Sequence, residues 1–211
     1  MQCEAPEFVT LDSSAIENLE LFADSQGKAS GSVLASIDHC NTPFGKRLLK
    51  KWISKPLARL ADIKERQDAV EDLLTTSAAA AGRARQRLTR VGDLERQIVR
   101  LLSSSLKGAH GGRDAEHVIL YEDVTKKRVS ALCKALEGLH SVNEAIHHFH
   151  VSSANIRSSL LKKIVAPDSQ FPGMTAILNA MKASANWEEA KKTGHITPAP
   201  VMTLFPFRDT I

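Results

Sequence analysis

Hydrophobic positions in this chain fall three and four residues apart over most of its length, the spacing of one face of an α-helix. The sharpest case is NTPFGKRLLKKWISKPL at 41–57. At about 100° per residue, Phe44, Gly45, Leu48, Leu49, Trp52 and Ile53 share one half of a helical wheel, and Lys46, Arg47, Lys50, Lys51 and Ser54 fill the other. Thr42 is placed to cap the free N–H groups, Pro43 suits the first helical position, and Pro56 stops the helix by restricting Lys55. The pattern predicts a short, sharply bounded helix whose apolar half is broad enough for more than one neighbour. Its four cations suit phosphates or water alike.

The same spacing recurs on both sides. Residues 11–22, LDSSAIENLELF, contain a capping-box match, Ser14 followed by Glu17, and predict a short helix entered from an extended Phe8-Val9. A Gly- and Ser-rich loop follows, then a brief apolar segment at 32–37. From Asp62, a plausible cap, Ile63, Arg66, Val70 and Leu73/Leu74 form a stripe. A second run at 77–102 aligns Ala84, Leu88, Val91, Leu94, Ile98 and Leu101/Leu102, with a break at Gly92-Asp93. SSSLKGAHGG at 103–112 has loop composition. The longest helical pattern, 121–150, carries Val129, Leu132, Leu136, Leu139, Ile146 and His150, and spans about 45 Å at ~1.5 Å per residue. A shorter helix at 155–165 is expected to end before Pro167, and a last one at 174–192 before Gly194. No alternating strand pattern of useful length occurs, so the predicted class is all-α.

Composition narrows this reading modestly. The 211 residues include 43% hydrophobic ones, enough for a core, and Lys plus Arg exceeds Asp plus Glu by 28 to 24. A net charge of +4 is compatible with nucleic acid without implying it. Cys3, Cys40 and Cys133 are odd in number and widely spaced, which favours reduced thiols over a disulfide framework. No apolar run reaches membrane-spanning length and the N-terminus has no signal-peptide pattern. A soluble, intracellular chain is expected.

Motifs of chemistry are sparse. Gly27-Lys28 and Gly45-Lys46 both lack the rest of a GxxxxGK[ST] phosphate loop, and there is no GxSxG, HExxH or paired-cysteine pattern. The His147, His148, His150 cluster has Glu144 at Glu-x-x-His spacing, yet a helical di-metal site needs a second such motif and two further glutamates; no metal is expected. Arg83, Arg85, Arg87, Arg90, Arg96 and Arg100 scatter over several helical directions, which favours a solvated face over a phosphate-tracking one.

Taken in order, TPFGKRLLKKWISKPL (42–57), IKERQDAVEDLL (63–74), GDLERQIVRL (92–101), ALEGLHSV (135–142) and AKKTGHITP (190–198) resemble the core, or lever, domain of MutS-type DNA mismatch repair proteins. The shared structural motif comprises Thr42, Pro43, Gly45, Arg47, Leu48, Leu49, Trp52 and Pro56, followed by Asp93, Leu94, Glu95 and Arg96. LYEDVTKKRVSALCKALEG is most similar to the eukaryotic homologue-six branch of that family. The resemblance implies an all-α, elongated core of which this chain holds part. It would comprise a short N-terminal helix and loop (1–31), a helical core (32–102), a loop (103–120), a long lever-type helix with its successors (121–197) and a divergent tail (198–211).

It further implies that the full-length protein binds mismatched duplex DNA, pairs with a second MutS homologue, uses ATP and magnesium, and works in the nucleus. This chain would contribute structure and allosteric transmission between DNA clamp and ATPase. It would have no catalytic residue and no cofactor of its own, since the Phe-x-Glu mismatch reader and the phosphate loop are missing, and, with no apolar run of spanning length, no membrane partner. The tail APVMTLFPFRDTI departs from the family pattern, and a truncated gene product, an alternative transcript or a misjoined exon would each explain it. Lys46, Lys50 and Lys51 are candidate phosphate contacts. Helices that have lost partners expose apolar patches, so the isolated chain is expected to self-associate. The alternative is a free-standing helical adaptor that binds other proteins through the same surfaces.

Overall fold

The computed structural model describes residues 7–109, 121–150, 156–165 and 173–198. Cys3, residues 110–120 of the expected loop, the Pro167 stop, the 199–211 part of the tail and the side chain of His150 lie outside the described residues. Ten α-helices follow one another: α1 (Ser13–Asn18), α2 (Val33–Ile37), α3 (Pro43–Ser54), α4 (Leu60–Leu74), α5 (Ala78–Leu88), α6 (Leu94–Ala109), α7 (Tyr121–His150), α8 (Ser159–Val165), α9 (Thr175–Ala183) and α10 (Trp187–Thr193), with a 3-10 turn at Ala29–Gly31. Among the described residues, β-pairing is limited to the isolated bridges Phe8 with Leu57 and Ala185 with Pro198. The all-α class holds.

The helix ends show which local signals prevailed. Thr42 Oγ1 accepts the Gly45 N–H at 3.2 Å, Pro43 is the first residue of α3, and the helix stops at Ser54 ahead of Pro56. In α1 the cap is Asp12, which accepts the Ala15 N–H at 2.7 Å, and not Ser14. α4 begins at Leu60, ahead of Asp62, with no side-chain cap. α6 runs through Ser103 to Ala109, where loop composition predicts an end. The single helix expected at 174–192 is two: the Asn186 side chain accepts the Glu189 N–H at 3.3 Å and its amide donates to Glu189 Oε2, an N-cap that restarts the chain as α10.

The chain forms two compact units, neither of them continuous: Met1–Asp93 with Glu144–Pro172, and Leu94–Asn143 with Gly173–Ile211. The consecutive segments expected from the sequence are therefore interleaved. In the first unit, Ala69 of α4 packs with Ile156, Leu161 and Val165 of the α8 region, backed by Leu73, Ile146, Phe149 and Leu160. Two carboxylates tie α4 to α8. Asp72, buried at 4% exposure, accepts the backbone N–H groups of Arg157 at 2.7 Å and Ser158 at 2.6 Å, and the Thr76 hydroxyl at 2.9 Å. Glu65 accepts from the Ser159 hydroxyl at 2.5 Å and from Lys163 at 3.0 Å. The Ser158 N–H bond, foremost, holds the Asp72 carboxyl below its ordinary value, and the Ser159 bond does the same for Glu65.

In the second unit, Val129 and Cys133 of α7 close on Ala190 of α10, which is fully buried, with Trp187 against them. The Trp187 indole N–H donates to the Met181 and Lys182 carbonyls at 3.0 and 3.2 Å, satisfying the end of α9. Lys191 pairs with Glu137 of α7 at 3.1 Å and with Glu188 at 3.3 Å, which raises its pKa. Gly194 then takes the left-handed conformation at φ 78° and ends α10.

Candidate functional site

The TPxGxRLLxxW residues and Asp93, part of the set that carries the family resemblance, lie in the first unit around α3. Gly45 is required there because a Cβ would stand 2.8 Å from Thr42 Oγ1, displacing the hydroxyl that caps the helix. Two residues on, the Arg47 side chain leaves α3 and donates two hydrogen bonds to Asp93, at 2.8 and 2.7 Å, in the parallel fork of a guanidinium–carboxylate pair. Arg47 and Asp93 lie 46 positions apart, one in TPxGxRLLxxW and the other opening DLER. The pair thus ties the first motif to the residue that opens the second.

The loop before α3 is pinned from the other side. Arg85 of α5 donates to the His39 carbonyl at 2.9 Å, and the Asn41 amide returns a bond to the Arg85 carbonyl at 3.2 Å. Asp38 accepts the Cys40 N–H at 3.0 Å and pairs with Lys46 at 3.2 Å, and the backbone bond is the main cause of its lowered pKa. Burial pushes the Cys40 and Cys133 thiols up, so both stay protonated at neutral pH and are poor nucleophiles. Among the described residues, no group of three or more His, Cys, Asp or Glu converges as a metal site.

Of the candidate phosphate contacts, Lys46 is engaged by Asp38, Lys50 lies 5.1 Å from the Phe22 ring centroid, and Lys51 is exposed. The broad apolar half of α3 is only partly covered: Leu49 and Ile53 are half-buried, while Leu48 and Trp52 keep 47% and 42% of their exposure. Arg66 of α4 stacks on Trp52 at 3.9 Å. Val70 and Leu74, expected on the packed stripe of α4, are exposed instead and line a groove of about 650 Å³ with Trp52, Pro56 and Ile63. The packed face of α4 is one position round, at Ala69 and Asp72. Leu94 is half-buried, and Glu95 and Arg96 are exposed on the first turn of α6.

The second unit holds a cationic concavity that the sequence pattern did not assemble. Arg100 of α6, Lys126, Lys127 and Lys134 of α7 and Lys191 of α10 line about 530 Å³ together with Gln97 and Ser130. The signal was present as the spacing of Lys127 and Lys134, two turns apart on one helix face. The arrangement in both units offers positioning and charge.

Comparison with known proteins gives the same answer over most of the chain. The DNA mismatch repair protein MSH6 of Arabidopsis thaliana is 35% identical over 193 residues, covering 91% of this chain and 14% of that protein. The human Msh6 protein is 33% identical, with 92% and 15% covered. The bacterial MutS of Roseiflexus castenholzii is 39% identical over 97 residues, or 46% of this chain and 9% of its own length. This chain therefore spans about one seventh of the MSH6 relatives it matches. The family model for MutS domain III matches residues 14–190, the stretch that contains both halves of the Arg47–Asp93 joint, and the chain belongs to the MutS family.

Proposed function

We propose that this chain acts as part of the helical core of a mismatch repair protein of the MSH6 type, with a structural and transmitting role. In that role it links the DNA clamp to the ATPase of a full-length protein that binds mismatched duplex, partners a second MutS homologue, and works in the nucleus. The observation that supports the reading is the bidentate Arg47–Asp93 pair, which ties the TPxGxRLLxxW helix to the residue that opens DLER. Helix α7 supports it. Its thirty residues are continuous, and a helix of that length transmits a rigid displacement over about 45 Å.

The test is a graft. Residues 14–190 replace the matching segment of a full-length MSH6 relative, and mismatch binding, ATP turnover and ATP-triggered release from DNA are measured. The expected result is a chimera that performs all three and responds to loss of the Arg47–Asp93 pair by uncoupling release from turnover. A graft that folds and binds mismatched DNA, yet releases normally after R47A/D93A, refutes the transmitting role.

A further inference from the structure

The arginines of α5 separate by function once the fold is known. Arg85 is turned to the His39 carbonyl. Arg83 and Arg87, at i and i+4 on α5, and Arg90 in the turn that follows it instead line a concavity of about 260 Å³ with Gln86 and His148 of α7. All five lining side chains can donate hydrogen bonds, and no carboxylate lines the wall. Arg87 is held in place by Glu144, 3.2 Å away. Three guanidinium charges against that one carboxylate leave an excess of two, which matches a phosphate dianion. Like charges spaced four apart on a helix repel one another, so the Arg83–Arg87 spacing on α5 is a destabilising arrangement that a bound anion relieves. Guanidinium forks also match phosphate oxygens better than ammonium groups do.

We infer that Arg83, Arg87 and Arg90, with Gln86 and His148, form a phosphate-binding site in the first unit. The ligand is a phosphoryl group, carried either by a small phosphate ester or by a nucleic-acid backbone. Arg87, Gln86 and His148 shape the wall, while the exposed Arg83 and Arg90 reach the ligand from its two ends.

The experiment titrates the 211-residue chain with pyrophosphate at low ionic strength by calorimetry. Saturable one-to-one binding is expected, weakened about tenfold for each arginine removed in R83Q and R83Q/R90Q. K127Q/K134Q, in the other cationic concavity, serves as the control for net charge and is expected to bind as the parent does. Circular dichroism and urea midpoints confirm that the variants fold. Absence of saturable binding, or equal weakening in R83Q/R90Q and K127Q/K134Q, overturns the site. A parallel titration with fully paired duplex DNA identifies the source of the phosphoryl group. If it is the backbone, the log–log salt slope falls by about one per arginine removed. If the slope is unchanged while pyrophosphate binding is lost, the site takes a small phosphate ester. Neither arm uses a mismatch, so the outcome is independent of the mismatch repair reading.

Discussion

Removing the Arg47–Asp93 pair measures how much the joint between the two motifs contributes to stability. Fully exposed ion pairs couple by about 0.2–1 kcal/mol, whereas hydrogen bonds to charged groups contribute about 1.5–3 kcal/mol. The side chains here keep 35% and 23% of their exposure and make two short parallel bonds. That places the coupling between the two regimes, at about 1.5 kcal/mol. R47A alone should cost about 2 kcal/mol, since it leaves the Asp93 carboxylate without its guanidinium fork as well as removing the pair. R47K keeps the charge but not the fork, and should recover no more than about half of that loss. The assay is urea unfolding of the parent, R47A, D93A and R47A/D93A, repeated at several protein concentrations so that association does not distort the midpoints. A half-buried pair resists screening, so the coupling should survive high salt that removes the exposed Lys46–Asp38 contribution. A coupling below about 0.5 kcal/mol would refute the argument that geometry lifts this pair out of the exposed class.

Three further outcomes follow from the packing. Gly194 is left-handed, and a Cβ there would lie 2.8 to 3.0 Å from Thr125 Oγ1, Lys126 Cγ and the Lys126 backbone nitrogen, so G194A should lose about 2–3 kcal/mol in urea or thermal unfolding, and a loss under about 0.5 kcal/mol contradicts it. The Ser77 hydroxyl is buried with no hydrogen-bond partner among the described residues, so S77A should be neutral or stabilising by up to about 1 kcal/mol, and clear destabilisation would reveal a partner for it. Asp72 and Glu65 titrate below their ordinary 3.8 and 4.5 in the folded state, so their contribution is complete above those values and is lost as pH falls through the depressed ones. D72N should flatten that acid limb in a series of unfolding curves taken downward from neutral pH; an unchanged limb excludes Asp72 as its source.

The sequence-readable parts of this fold are those decided within one turn of chain. Thr42, Pro43 and Pro56 bound α3 because capping and ring sterics act locally, and Gly194 ends α10 for the same reason. Reading failed where a partner arrives from far along the chain. Periodicity placed Val70 and Leu74 in the core, but the face of α4 that packs carries Ala69 and Asp72, because the residues leading into α8 bring backbone donors that Asp72 accepts. Small residues hide from hydrophobic patterns in the same way: Cys133, Ala135 and Ala190 are buried more deeply than the leucines of the α7 stripe. The restart at α10 was legible, since Asn186 followed three positions on by Glu189 is an N-terminus pattern, but the apolar run through Met181 masked it. At the motif cluster, Arg47 and Asp93 were each conspicuous, and nothing in their spacing says that they touch.

The carboxylate that starts α8 has a consequence for how the protein is made. Asp72 leaves the ribosome 86 residues before the Ser158 N–H group it will bind. At about 5–20 residues per second that interval is roughly 4–17 s, during which the Ala69 face of α4 has none of its α8 cover. α8, at seven residues, is too short to nucleate alone. It must be born directly onto a waiting template, so the first unit is completed only after much of the second has been synthesised. Slow codons or a bound chaperone between residues 94 and 143 would therefore act on the folding of a unit to which those residues do not belong.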